Sequence, residues 1–228
     1  MLNLKLKNNY IQISCDGGAA TGKSTGAKLI AKKFKLKFLS SGLLYRYASF
    51  LLLNNKPKNK IDFIKSKFKN LNYKNLNNKK LHSPEISKFS TEIAKISSIR
   101  KILKKYQINF SLKYKNCCIE GRDISTKILP KSDLKFFFIC NINIAAKRRY
   151  KELRKRNRKI KFQDVKKALR IRNISDINRK NSPLLKHRDS IEIDTGKLDK
   201  QAMIAKMSKY VKKVINNKKY GNRTRVKK

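Results

Sequence analysis

Eight consecutive residues near the N-terminus, Gly17-Gly18-Ala19-Ala20-Thr21-Gly22-Lys23-Ser24, fit the pattern G-x-x-x-x-G-K-[ST]. The glycines let backbone N–H groups approach a phosphate, and a helix beginning at the lysine adds a favourable partial positive charge. Lys23 is long enough to reach the β- and γ-phosphates of a nucleoside triphosphate, and the Ser24 hydroxyl can ligate Mg²⁺. The pattern carries meaning only between a strand and a helix. Both are expected here: Tyr10 to Cys15 is a short β-rich run, and a helical pattern runs from Lys23 to about Phe34. The motif specifies a triphosphate but leaves the acceptor open, because GTPases, ATPases and many kinases share it.

If a phosphoryl group is transferred to a second anion, like charges must be neutralised and aligned. Arginine suits that task, because its planar fork pairs with phosphate oxygens. Three arginine-bearing places stand out: Ser40-Ser41-Gly42-Leu43-Leu44-Tyr45-Arg46, Glu120-Gly121-Arg122-Asp123, and the group Arg172, Asp176, Asn178 and Arg179. The first two follow expected strands, where ligands bind in open α/β sheets. Asp123 and Asp176 are informative because acids are scarce, and an acid among phosphate-binding groups needs a reason such as holding a base amine or a ribose hydroxyl.

The elements that would position these groups can be read from periodicity. Leu36 to Leu39, Asn116 to Glu120, Leu134 to Cys140 and Ser190 to Asp194 read as further strands, and Gly42 to Leu53 as a second helix. Strand–helix alternation with continuous apolar strands predicts a parallel sheet covered on both faces. Residues 54–83 are Lys- and Asn-rich with scattered aromatics and predict a poorly specified lobe. Pro84 to about Lys113 reads as one helix with Ile86, Phe89, Ile93, Ile96, Ile99 and Leu103 on a face. Helices are also expected after Cys140, from Phe162 to about Arg172, and from Leu198 to Ile215, with a frayed basic tail over 216–228.

Of 228 residues, 60 are Lys or Arg and 14 are Asp or Glu, a formal charge of +46, while 39% are hydrophobic. That apolar content supports a buried core and excludes a simple disordered basic tail. The excess positive charge forms no single block or stripe, so it reads as the compositional bias that AT-rich codons produce, and no specific nucleic-acid partner is expected. The four cysteines, Cys15, Cys117, Cys118 and Cys140, fall in apolar runs without metal-ligand spacing and are expected to be reduced and buried. The first seven residues lack the apolar stretch of a signal peptide, and no run approaches a membrane span of about 20 residues. A cytoplasmic protein with no membrane contact is the expectation.

Together these residues resemble the bacterial cytidylate kinases over roughly residues 10 to 215. The segment Asp16 to Thr25 is similar to that family's D-G-P-[AS]-G-[AS]-G-K-[SG]-T, and Ser41 to Arg46 to its [ST]-G-x-[MI]-Y-R. Gly121 to Pro130 resembles G-R-D-[IM]-G-T-V-V-[LF]-P, the most specific signature of the set. Arg148 to Leu153, and Asn178-Arg179 through Pro183-Leu184, follow in the same order. The resemblance implies an α/β, three-layer P-loop NTPase fold with a five-stranded parallel sheet. It further implies one kinase domain over 1–228: a core of 10–53, 95–145 and 165–215, an acceptor-binding insertion over about 54–94, and a lid over about 146–164. The implied reaction moves the γ-phosphoryl of ATP, with Mg²⁺, onto CMP or dCMP, in a monomer. By this likeness Gly17, Gly18, Ala19, Ala20, Thr21, Gly22, Lys23, Ser24 and Thr25 would hold ATP, and Lys23, Arg122 and Arg148 would act in catalysis. Arg46 and Arg122 would hold the CMP phosphate. Ser41, Arg100, Asp123 and Arg179 would surround cytosine, and Thr91, Arg172 and Asp176 would serve the pentose.

The chain departs from the family pattern at several places. Gly18 stands for the usual Pro, Ser40 for Asp, and Ala145, Ser175 and Ile177 for Arg, while Gly26 weakens the first turns of the first helix by up to about 1 kcal/mol and the insertion between Arg46 and Thr91 is short. Arg149 shares a helical face with Ala145 and could fill its role. Two other readings exist: another small-molecule kinase such as an adenylate, thymidylate or shikimate kinase, and a basic nucleic-acid-binding P-loop protein. The first lacks the G-R-D-x-x-T-x-x-[LF]-P pattern, and the second would want a charged stripe interleaved with aromatics.

Overall fold

A computed structural model describes residues 10–155 and 158–221. The chain runs β1 (Gln12–Gly17), α1 (Lys23–Lys33), β2 (Lys37–Ser40), α2 (Ser41–Asn55), α3 (Lys60–Lys69), two 3₁₀ turns (Tyr73–Asn77 and Lys79–His82), α4 (Pro84–Ile93) and α5 (Ser97–Lys113). It continues through β3 (Cys117–Gly121), a π turn (Ile124–Ile128), β4 (Leu134–Ile139), α6 (Ile142–Arg154), α7 (Phe162–Asn178), β5 (Ile191–Asp194) and α8 (Lys200–Gly221). The five strands form one sheet in the order β2-β3-β1-β4-β5, every pairing parallel. The expected α/β three-layer architecture is present.

Side chains that alternate along a strand face opposite sides of a sheet. In β3, Cys118 packs with α1 and α8 residues such as Ile30, Ala31 and Met207, whereas Cys117 and Ile119 pack with α2 and α5 residues such as Leu44 and Leu103. Both sides are apolar because both are covered, which is why the strands read as continuous hydrophobic runs. Cys15 and Cys118 are buried free thiols 3.8 Å apart, and burial pushes the Cys117 thiol up to about 12. Cys140 differs from expectation: it lies just after β4 and is only partly buried.

Gly26, expected to weaken α1, has a packing reason. A β-carbon there would lie 2.8 Å from Phe138 Cε1 and 3.2 Å from Met203 Sδ. The bare backbone lets α1 settle onto β4 and α8.

The register sets the site. Cys15 lies opposite Glu120, Asp16 opposite Gly121, and Ser40 also opposite Glu120. The carboxyl ends of β1, β2 and β3 therefore finish at one edge, and each runs straight into one of the motif loops. Asp16 locks two of them together. Its carboxylate accepts hydrogen bonds from Ile124 N (2.8 Å), Ser125 N (2.7 Å) and Ser125 Oγ (2.6 Å).

Residues 54–83 are better formed than expected. Side chains of Asn59, Asn72, Asn78 and Ser83 accept hydrogen bonds from the first amides of α3, of each 3₁₀ turn and of α4. Phe68 meets Tyr106, and Tyr73 meets Phe110 and Tyr114, edge to face between this segment and the end of α5, a geometry that aromatic pairs favour. The single helix expected from Pro84 to Lys113 is two, broken at Ala94–Ile96. The Arg100 guanidinium donates to the Ala94 carbonyl at 3.2 Å, satisfying an oxygen at the end of α4. Ile96, expected on the buried face, is 41% exposed at this corner.

Two further elements are longer than expected. α7 continues past Arg172 to Asn178, and α8 continues past Ile215 to Gly221, so only 222–228 of the expected tail lie outside the described residues. The reading of residues 1–7 and part of the segment between α6 and α7 (156–157) also fall outside them.

Candidate active site

The loop between β1 and α1 has the backbone that its glycines anticipate. Gly17 and Gly22 have φ of 150° and 80°, and Ala20 also adopts a positive φ of 58°. A non-glycine residue held there stores strain of roughly 1 kcal/mol or more, a feature common where backbone amides are aimed at a ligand. Neighbours hold the loop in place. Thr21 Oγ1 donates to Gly18 O at 3.1 Å, Thr195 Oγ1 donates to Thr21 O at 2.7 Å, and Ala19 N donates to Asn173 Oδ1 at 2.9 Å. Asn173 comes from α7, so that helix rests directly on the loop.

A cavity of about 640 Å³ opens in front of the loop. Gly18 to Thr25 form one wall. Arg46 of α2, Arg122 after β3, Arg148 and Arg149 of α6 and Arg172 of α7 line the others, joined by Glu120, Glu152, Leu76, Asn77, Lys79 and His82. Of the residues singled out from sequence, Gly18 to Thr25, Arg46, Arg122, Arg148 and Arg172 therefore share one space.

Lys23 and Glu120 form a buried ion pair, and Ser40 Oγ donates to the other carboxylate oxygen of Glu120. Burial alone would raise the Glu120 pKa. The Lys23 ammonium, the Ser40 hydroxyl and the nearby Arg122 outweigh it and hold the carboxyl below its usual range. The same Ser40 hydroxyl accepts from Leu43 N at 3.4 Å as the N-cap of α2. This gives a reason for serine at a position where an aspartate was expected. A carboxylate there would face Glu120 at contact distance, and like charges repel.

Beside the cavity lies a chain of ion pairs. Arg122 Nε donates to Asp176 Oδ2 at 2.8 Å, Arg179 Nη1 reaches Asp176 Oδ1 at 3.4 Å, Arg179 Nη2 is 3.9 Å from Asp123 Oδ1, and Arg100 Nη2 pairs with Asp123 Oδ2. The Arg100 guanidinium also lies over the Tyr45 ring, 5.7 Å from its centroid. Burial pushes the Tyr45 hydroxyl up to about 12, keeping it a neutral donor. Burial would raise Asp176, but Arg122, Arg172 and Arg179 hold it down. Ser41 is buried beside Gly121, where a β-carbon would come 3.1 Å from Ser41 Cβ.

Thr91 is not joined to this set among the described residues. Its hydroxyl donates to Ser87 O at 3.3 Å within α4, and it is not among the residues that line the cavity. Arg148 lines the cavity, but its guanidinium is held on Thr195, 2.9 Å from Oγ1 and 2.7 Å from the carbonyl, on the loop side of the space.

The arginines repel one another. Burial, then Arg122, Arg46 and Arg149, bring Arg172 down to about 10, and its Nε is buried without a partner. Burial and then Arg149 also lower Arg46. A buried donor without an acceptor among like charges is a site that an anion stabilises. Arg149, held by Glu152 at 2.8 Å, reaches this space while Ala145 on the same face is only 2% exposed.

Sequence reasoning passed over several residues that the fold brings here. Glu120 carried a signal, being a scarce acid inside an apolar strand. Asn173, Thr195 and His82 carried none, since each depends on long-range placement.

The family described as cytidylate kinase matches residues 13–213 of this chain. A cytidylate kinase of Rickettsia felis is 36% identical over 217 residues, covering 93% of this chain and 98% of the relative. One of Clostridium tetani is 34% identical over 216 residues, covering 90% and 95%. Among solved structures, an uncharacterized protein from Eubacterium ventriosum matches with a TM-score of 0.54 at 15% identity, covering 89% of this chain and 98% of that one. A shikimate kinase from Bacteroides thetaiotaomicron matches with a TM-score of 0.50 at 9% identity, covering 90% and 99%. At such identities these two structures speak for the fold alone.

Proposed function

The chain belongs to the cytidylate kinase family, and on that premise we propose how its residues divide the work of moving the γ-phosphoryl of ATP onto CMP or dCMP. The observation that carries the assignment is the single cavity shared by Lys23, Arg46, Arg122 and Arg172, with the Asp176–Arg179–Asp123–Arg100 chain leading away from Arg122.

ATP lies along Gly17 to Thr25, its phosphates against the loop amides. Lys23 exchanges part of its pairing with Glu120 for the β- and γ-phosphate oxygens. The loop cradle fits a triphosphate, with positive φ at Ala20 and Gly22 and the N-terminus of α1 behind it. The exposed Ser24 hydroxyl at that terminus would hold Mg²⁺, which neutralises phosphate charge when bound.

The CMP phosphate is received by Arg46 and Arg122. One of its oxygens attacks the γ-phosphorus as the bond to the β–γ bridging oxygen breaks, and ADP leaves with that electron pair. The acceptor is already ionised, so no strong general base is needed. Arg172, whose Nε lacks a partner, supplies positive charge to the transferring group from α7, and Arg148 and Arg149 do so from α6. Catalysis is therefore positioning and electrostatics. The hairpin of α6 and α7, spanning the expected lid, excludes water from this space, since a wet site would waste ATP.

Cytosine sits at the far end of the ion-pair chain. The Asp123 carboxylate accepts from its exocyclic amine while Arg100 and Arg179 donate to its ring acceptors, with Ser41 alongside. Asp176 holds the pentose. The protein works as a cytoplasmic monomer. Among the described residues no helix is long and apolar enough to cross a membrane.

The test is a panel of nucleoside monophosphates with ATP and Mg²⁺. CMP and dCMP should be phosphorylated rapidly and UMP far more slowly, because a site built to accept from an amine discriminates strongly against a base that lacks one. Equal rates with AMP or with shikimate would overturn the assignment.

A further inference from the structure

We propose that His82 is a positioning residue for the acceptor phosphate, acting as a neutral imidazole that accepts a hydrogen bond from Arg46 and aims its guanidinium into the cavity. The inference rests on the reading of Arg46 as an acceptor-phosphate ligand.

The geometry is direct. Arg46 Nη1 lies 3.0 Å from His82 Nδ1, across 36 residues of sequence. A guanidinium is protonated at any physiological pH and has donors only. The imidazole nitrogen facing it must therefore offer its lone pair. This assigns the proton to Nε2 and leaves the ring uncharged while the contact lasts.

The ring stands on a firm base. His82 closes the 3₁₀ turn Lys79–His82, where the Asn78 side chain accepts from Lys80 N at 2.9 Å. Its neighbour Leu81 is fully buried, and the next residue, Ser83, caps α4 through Ile86 N at 3.2 Å. The insertion therefore contributes a fixed edge to the cavity, with Asn77 and Lys79 on the same wall.

Charge explains why an imidazole suits this place. Arg46 is surrounded by Arg149 and Arg122, with Glu120 and Glu152 as the nearby acids. A further carboxylate on Arg46 would satisfy it in the empty site and compete with the incoming phosphate. A neutral acceptor fixes the direction of the guanidinium and leaves its charge available. A long side chain ordered before binding has less freedom to lose when the phosphate arrives. The benefit should thus appear in acceptor binding rather than in donor binding.

Steady-state kinetics on the full chain test this, with CMP and ATP varied separately and the melting temperature of each variant recorded. His82→Ala should raise KM for CMP roughly tenfold, the scale of one hydrogen bond to a charged group. KM for ATP and kcat should stay within about twofold. His82→Phe keeps ring volume without an acceptor and should match His82→Ala. His82→Asn, whose Oδ1 stands near the Nδ1 position, should recover KM for CMP to within about threefold of the wild type. The inference is overturned if KM for CMP is unchanged in both His82→Ala and His82→Phe, if both KM values rise together, or if His82→Asn is no better than His82→Phe. Arg46→Ala separates the two levels. If it leaves KM for CMP unchanged, the acceptor-site reading itself fails. If it raises KM while the His82 variants do not, only the role of His82 falls.

Discussion

Replacing Glu120 by Gln removes the one carboxylate paired with Lys23 while keeping side-chain size and one acceptor for Ser40. Both partners are buried, at 5% and 3% exposure. Breaking a buried pair from one side typically costs about 3–5 kcal/mol, because the remaining charge is left uncompensated. Glutamine retains an oxygen for hydrogen bonding, so the lower end, about 3 kcal/mol, applies. For a chain of this size each kcal/mol shifts Tm by roughly 2–4 °C, so the ligand-free variant should melt roughly 6–12 °C below the wild type. ATP supplies the missing negative charge at Lys23, so the increase in Tm on adding saturating ATP should be larger in the variant. The pH dependence gives a second reading. Glu120 has a folded pKa below its ordinary 4.5, so the pair stabilises the fold above that value and the contribution is lost as pH falls below it. The stability curves of wild type and variant should therefore converge in acid. Thermal melts from pH 3 to 7, with and without ATP, measure all of this. An unchanged Tm together with an unchanged ATP shift would refute the reasoning, because Lys23 would then have no need of Glu120.

Gly26→Ala pits a gain in helix propensity of about 1 kcal/mol against overpacking of Phe138 and Met203, typically about 1–3 kcal/mol; the contact of 2.8 Å lets overpacking win. Chemical denaturation should show a net loss of up to about 2 kcal/mol, and a stabilised variant would contradict the packing. Ala145→Arg restores the family's residue at a position only 2% exposed, so it should lower Tm without raising kcat, and a faster, equally stable enzyme would contradict this. Both substitutions leave Lys23, Arg46 and Arg122 in place, so KM for CMP measured beside stability separates folding effects from site effects.

The loop between β1 and α1 was legible because its pattern is contiguous: eight residues carry it, and the flanking strand and helix follow from local pattern. The G-R-D segment was legible for the same reason. The insertion was not. In a chain rich in Asn, the asparagines at 59, 72 and 78 look like polar filler, yet each begins an element by capping it. The available signal was their spacing ahead of short apolar runs. The break between α4 and α5 was hidden because apolar periodicity runs through it. At that break Arg100 reaches back to Ala94 O, a contact six residues apart that no helical template contains. α7 was cut short for the opposite reason. Ile171, Ile174 and Ile177 are 58%, 58% and 49% exposed, so apolar periodicity marks the wrong face. The inward face is polar, carrying Arg172, Asn173 and Asp176 to the site.

Scarcity is what makes the acids informative. Among the described residues four carboxylates are buried, Asp16, Glu120, Asp123 and Asp176, and all four lie at this one edge of the sheet. Asp16 binds the Ile124 and Ser125 amides, Glu120 holds Lys23, Asp123 holds Arg100 with Arg179 nearby, and Asp176 joins Arg122 to Arg179. A buried carboxylate is costly unless it is paired or hydrogen-bonded, and each of these four is. The chain carries 60 basic residues against 14 acidic, and the four acids buried among the described residues are those that orient a loop amide, a lysine or an arginine. Three of the four hold cations, and those cations face the cavity or border it. Removing any of these three carboxylates would take an ion-pair partner from a lysine or arginine at or beside the cavity. The acids therefore set the direction of the positive charge, and the basic side chains supply its amount.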